Sequence, residues 1–234
     1  MARSKRAHAS GFSSSFSDLL LGLFMTDNLA AESAIIASYK KLMREAILRA
    51  EFINSIITNS AGIEPRLAYE VGFLQLRMLC EIIAIGCLMA HGDLPATRTK
   101  KLMETWRPHQ ILAALEKLRA HFFPIPFSGS SINDKGIVIY HHRTEGGLTK
   151  QELIHLHGLT GDVLHKGGAI NALSFFETRH VDFREIGRWN QKILDLISIH
   201  AIPVLANESL YMCSLRTPPN GEVEMFFAGT KKPT

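Results

Sequence analysis

From Leu29 to Asn59 the apolar residues Ile36, Tyr39, Met43, Ala46, Ala50, Ile53 and Ile57 recur at alternating steps of three and four. That spacing is the seam of a helix packed lengthwise on another. Lys40, Lys41, Arg44, Glu45 and Glu51 mostly take the other side. Gly62 fits a helix stop, and Pro65 fits the first turn of the helix that follows. Leu67, Val71, Leu74, Met78, Ile82, Ile85 and Met89 then give the second helix its own seam. The pattern predicts two antiparallel rods of about 25 to 30 residues, each roughly 40 Å long at 1.5 Å per residue.

After His91-Gly92-Asp93-Leu94-Pro95 the apolar period resumes in a third helix from about Thr99 to His121, bent at Pro108, with Leu102, Trp106, Ile111, Leu112, Leu115 and Leu118 on its inner face. Residues 122–147 break the pattern and read as an irregular insertion, within which Ile137 to Tyr140 suggests a short strand. Thr149 and Glu152 carry the spacing of a capping box and open a helix reaching about Lys166, ahead of Gly167-Gly168. A further helix is expected from Phe183, capped by Asp182, to about Ile202, where Pro203 stops it. Tyr211, Cys213 and Leu215, then Val223, Met225 and Phe227, alternate with polar neighbours around Pro218-Pro219-Asn220-Gly221, which predicts a β-hairpin. The fold class expected is mainly α: an up-and-down helical bundle built on the long antiparallel hairpin, with a small C-terminal β-hairpin. In domain terms, residues 1–17 are a disordered tail, 18–208 the bundle, 209–228 the hairpin appendage and 229–234 a second tail.

On the second rod Arg66, Glu70, Arg77 and Glu81 fall within one narrow arc, a charged stripe on a helix that is otherwise apolar nearly all round. Val71 to Ala90 has about the length of a membrane span. Arg77 and Glu81 near its middle would each cost about 2.5 to 3.5 kcal/mol in a bilayer, so the run reads as a core helix with no membrane partner. The basic N-terminus lacks the layout of a signal peptide, and a cytoplasmic location is expected. The formal charge of +4 includes Arg3, Lys5, Arg6, Lys231 and Lys232 in the tails, leaving 21 basic against 22 acidic residues in the body. Such balance argues against a broad nucleic-acid groove but leaves room for a local patch. Cys80, Cys87 and Cys213 match neither a zinc knuckle nor a disulfide framework and read as buried free thiols.

Four residues are candidates for a catalytic centre. Arg77 and Glu81 stand one turn apart, and Asp162 and His165 share a face of a later helix. If the two helices meet, Arg77 would bind an anion and His165 would move a proton. The blander reading is a buried ionic network that pins helix register. Glu70, on the same stripe, and the loop cluster His141, His142 and Arg143 are candidate binding residues. An acidic residue stands three before a histidine at Glu152/His155, Asp162/His165 and Glu177/His180, the spacing used by ferritin-like metal bundles, in which Glu70 or Glu81 would supply the lone carboxylates. Chance and capping account for most of these pairs, so no metal site is assigned and no cofactor is expected. Phosphate-binding loops, dinucleotide fingerprints and nucleophile elbows are absent from the sequence.

Arg77-x-x-x-Glu81 inside the second rod, followed by a later helix with Asp162-Val163-Leu164-His165, resembles the HEPN-like helical proteins of bacteria over roughly Leu29 to Ile202. The resemblance implies an up-and-down helical bundle, often dimeric. Many members are RNA-cleaving toxins or defence effectors, and others are non-catalytic binding modules. Catalytic members carry an arginine four to six residues before a histidine on a late helix. Here the nearest arginine upstream of His165 is Arg143, and the spacing occurs only at Arg3 and His8. The function expected is a self-associating, non-catalytic HEPN-like module with protein or RNA partners. A metal-independent, RNA-directed nuclease using Arg77, Glu81, Asp162 and His165 is the alternative, and a ferritin-like metal-binding bundle the second.

Overall fold

The structure, a computed structural model, describes residues 14–59, 62–92, 94–165, 181–204, 209–217 and 222–229, with side chains along the first helix from Glu32 onward. Helix α1 (Ser14–Ile57) starts inside the segment expected as a tail and runs for 44 residues. Helix α2 (Pro65–Ala90) follows a tight connection, with Pro65 in its first turn and the Glu64 carboxylate accepting from the backbone N–H groups of Arg66 and Leu67. Arg49 donates to Gln75 at 2.7 Å, Tyr39 lies against Gly86, and Ile35 faces Gly92. Position numbers thus rise on one rod as they fall on the other, which makes the pair antiparallel. Gly86 matters here, because a Cβ in its place would stand 3.0 Å from Tyr39 Cε2.

The expected third helix is two short ones, α3 (Lys100–Met103) and α4 (Pro108–Leu118), preceded by a 3₁₀ turn at Pro95–Arg98. Pro108 is the reason: it has no N–H to continue a helix and holds Arg107 in an extended conformation (φ −79°, ψ 113°). Helix α5 (Lys150–Leu164) opens on a complete capping box between Thr149 and Glu152, and α6 (Phe183–Ile197) on Asp182, whose carboxylate accepts from Arg184 N.

The expectation of a helical bundle with a small hairpin is overturned by a five-stranded antiparallel sheet. Its strands are β1 (Ile125–Ile132), β2 (Val138–His142), β3 (Ile199–Val204), β4 (Ser209–Thr217) and β5 (Glu222–Gly229), in the order β2-β1-β3-β4-β5. Two misreadings account for the difference. The insertion at 122–147 holds two paired strands, and the last helix stops at Ile197 instead of Ile202, so that Ile199–Val204 becomes the central strand. That run is apolar, β-branched and buried from His200 on, and a short apolar run carries no period to tell strand from helix. β4 and β5 pair antiparallel as a hairpin whose connection, residues 218–221, lies outside the described residues. Instead of an appendage, the pair is continuous with β3, while β2 occupies the opposite edge.

Sheet and helices share one core. Cys213, Leu215, Val223 and Met225 of the sheet join Tyr39, Met43, Phe73, Leu76, Leu79, Ile83 and Ile193 of the helices. α2 lies at its centre, touching α1, α4, α5, α6 and β3. Among the described residues it is the one helix long and apolar enough to cross a membrane, and 61% of that stretch is buried within the fold.

Two buried histidines weld the layers. His200 Nδ1 donates to Ile197 O at 2.7 Å, which leaves Nε2 to accept the Tyr39 hydroxyl at 2.7 Å. His91, at the C-terminal cap of α2, reaches Cys87 O with Nδ1 and Pro203 O with Nε2, tying that helix to β3.

Candidate functional site

Where α2, α5 and the chain between α3 and α4 meet, one carboxylate oxygen is shared by two partners. Glu81 Oε1 stands 3.2 Å from Arg77 Nε and 3.3 Å from His157 Nε2. The side chains of Arg77, Glu81 and His157 are 18%, 14% and 12% exposed, so the group is largely but not wholly withdrawn from water. Burial holds the His157 imidazole below its usual range, and Arg77 and His109 push the same way against the pull of Glu81. Neutral at pH 7, His157 donates its Nε2–H to Glu81 and keeps a lone pair on Nδ1.

Trp106 closes the cluster from outside. Its ring is about half exposed, and two guanidinium groups lie against it: Arg77 Cζ at 5.5 Å and Arg107 Cζ at 5.4 Å from the centroid. The His157 ring centroid is 6.4 Å away. Local sequence contributes to the placement, since Pro108 holds Arg107 extended ahead of α4, with Trp106 beside it in the connection from α3. Gly161, one turn after His157, leaves space on α5, and a Cβ there would come within 3.6 Å of Arg77 Nη1. The result is a partly exposed cluster of two guanidinium groups, an imidazole and an indole, in which Glu81 is the carboxylate paired with Arg77 and His157.

Arg77 and Glu81 are therefore paired as the sequence suggests, but Asp162 and His165 do not complete the centre. Both are exposed, Asp162 pointing off the α2-facing side of α5 and His165 standing at its C-terminal cap. Among the described residues no hydrogen bond or ion pair joins either to Arg77 or Glu81. Glu70 is half-buried on α2 about 10 Å from Arg77 along the axis at 1.5 Å per residue.

His141, His142 and Arg143 do not converge. His141 Nε2 meets Ser131 Oγ at 2.9 Å, His142 packs edge-on against Phe127 at 6.1 Å, and Arg143 Nη1 faces Asp195 at 3.5 Å.

No group of three or more metal-ligating side chains occurs among the described residues. Glu152 of the Glu152/His155 pair is engaged by Thr149 and by Lys192 at 2.7 Å, which holds its carboxyl below the usual range, while Glu177 and His180 lie outside the described residues. Cys80, Cys87 and Cys213 are buried free thiols, and burial pushes each thiol up, to about 12 for Cys87 and Cys213.

The apolar period alone does not single out His157, Arg107 or His109, and it places Trp106 on the inner face of the third helix. A usable signal for His157 was present: on α5 the buried positions Leu153, Leu156, Thr160 and Val163 set a phase that puts His157 and Gly161 beside them, at the margin of the packed face.

With that geometry in hand, comparison with protein-family models, curated proteins and solved structures gives no match to this chain.

Proposed function

We propose that the protein is a non-catalytic binding module that takes single-stranded RNA at the Trp106 cluster. The observation that carries this reading is the pair of guanidinium groups on one half-exposed indole, with Glu81, among the described residues, the one carboxylate paired with the group. Single-strand binders combine cations for phosphates with aromatic faces on which bases stack, each stack contributing about 1 to 3 kcal/mol. Arg107 is exposed and free to exchange the ring for a phosphate, whereas Arg77 stays anchored by Glu81. The HEPN-like resemblance, which rests on Arg77-x-x-x-Glu81 and on Asp162-Val163-Leu164-His165, implies the same class of partner, and self-association. Against the nuclease alternative stand the separate placement of Asp162 and His165 and the engagement of His157 Nε2 by Glu81.

Fluorescence anisotropy with a labelled single-stranded RNA at low salt tests the proposal. Binding should weaken about tenfold in Trp106→Ala and in Arg107→Ala, and the RNA should remain intact on a gel. Equal affinity in the wild type and both variants would remove the site. Cleavage abolished by His165→Ala or His157→Ala would replace binding by catalysis.

A further inference from the structure

Trp106 also lines a solvent-open cavity of about 730 Å³ between α1, the last turns of α2 and the chain from Thr97 to Trp106. Its walls are Ile35, Ile85, Leu88, Met89, Met103 and Trp106. That volume falls within the range of small-molecule sites, about 300 to 1,000 Å³, which are characteristically apolar with a few placed polar groups. Most polar groups around this one are already engaged. The Thr97 hydroxyl donates to His91 O and Leu94 O, the Thr105 hydroxyl to Lys101 O, and Glu104 lies 3.9 Å from Lys100. Arg98 differs. Its Nε donates to Gly92 O at 2.6 Å, which fixes the guanidinium at the cavity, and among the described residues no carboxylate pairs with it.

We infer that this cavity binds a small amphipathic carboxylate, its aliphatic chain between the α1 and α2 walls and its head group on Arg98. Charge complementarity selects an anion, and a planar guanidinium held at one nitrogen still offers two terminal amino groups to a carboxylate. The aliphatic and thioether walls select a chain over a nucleotide, whose base edges and ribose hydroxyls would be stripped of water without partners. Met89 and Met103 let the walls adapt to chain length. The inference does not depend on RNA binding, because Arg98 and the α1 wall take no part in the cation cluster.

Decanoate, below its micellar concentration, is the probe, decanol the uncharged control, and the fluorescence of the full-length protein the readout, since Trp106 forms one wall. Saturable change is expected with both. Arg98→Gln should weaken decanoate about tenfold and leave decanol unaltered, as expected for loss of a charge-assisted contact. Ala34→Phe, which projects a ring into the cavity from an exposed position on α1, should abolish both, with calorimetry confirming the loss and thermal melts matching the wild type. No saturation in the wild type, or equal binding in Ala34→Phe, would overturn the site. Undiminished decanoate binding in Arg98→Gln would overturn the carboxylate as its ligand.

Discussion

Acid should loosen this protein through one residue, His200. The imidazole is fully buried, donates to Ile197 O, accepts from the Tyr39 hydroxyl, and is pushed down by burial to about 4 from an ordinary 6.5. Below about pH 6.5 the unfolded chain takes up a proton at this position that the folded chain refuses until about pH 4. The stabilisation is therefore complete above that window and is lost as pH falls through it. Each tenfold difference in proton affinity corresponds to about 1.4 kcal/mol, so about 2.5 kcal/mol should be gone by about pH 4.5. Urea unfolding of the wild type and of His200→Gln, followed at several values between about pH 7.5 and pH 4.5, isolates the effect, because every other residue is common to both proteins. The wild type should lose about 2.5 kcal/mol more than the variant over that range. Parallel pH profiles would refute the reasoning, because they would mean that His200 reaches water or charges in place without cost.

Arg77→Ala should lower stability by about 2 kcal/mol in urea unfolding, less than the 3 to 5 kcal/mol of a fully buried broken pair, because Glu81 keeps His157 and some contact with water. A midpoint equal to the wild type would show that the pair adds nothing to folding. Gly86→Ala should cost about 1 to 2 kcal/mol despite the better helix propensity of alanine, since the new Cβ would crowd a Tyr39 ring already pinned by His200. A stabilised variant in thermal melts would show that the ring gives way. The three thiols should resist Ellman's reagent at neutral pH and react only as urea unfolds the chain, burial having suppressed the thiolate in each. Rapid labelling of the native protein would contradict their placement.

What the sequence discloses about this fold is what neighbouring residues decide among themselves. Gly62 and Pro65 mark the turn between the rods, and Thr149 with Glu152 forms its capping box across three residues. The sheet is another matter. Ile199–Val204 has strand partners at 125–126 and at 209–214, and nothing within the run itself records that pairing. Ser128 to Ser131 reads as a loop by composition, yet Gly129 to Ser131 pair with residues 139–141 after a bulge at Ser128. There backbone pairing overrides the weak strand preference of serine and glycine. Pro203 reads as a helix stop in the sequence and lies instead inside β3, its carbonyl taken by His91. Here the proline ends nothing. It is tolerated because only residues 200 and 201 of β3 pair with β1, so the missing N–H leaves no gap in that ladder.

The site follows the same division. Arg77 and Glu81 belong to one helix, so their pairing is written in a four-residue spacing, but the histidine that meets them is 76 residues further along from Glu81. Choosing among the histidines of α5 requires the helix phase, and the phase is set by what packs. Leu153, Leu156, Thr160 and Val163 turn inward, so His157 and Gly161 lie towards α2, Asp162 is carried about 100° away from Gly161, and His165 falls where the helix ends. A Cβ at position 161 would rest in ordinary contact with Arg77 Nη1, 3.6 Å away, so α5 passes close to the arginine that reaches Trp106. The inner part of the cluster therefore braces α2 against α5, and its outer part meets solvent. These two tasks are separable by substitution. Arg77→Ala removes a brace and should register in unfolding, whereas Arg107, exposed and resting on the indole, should register in RNA binding with the unfolding midpoint unchanged. A loss of stability in Arg107→Ala as large as that in Arg77→Ala would mean that the outer arginine is also a brace, and the case for a recognition surface at Trp106 would fail.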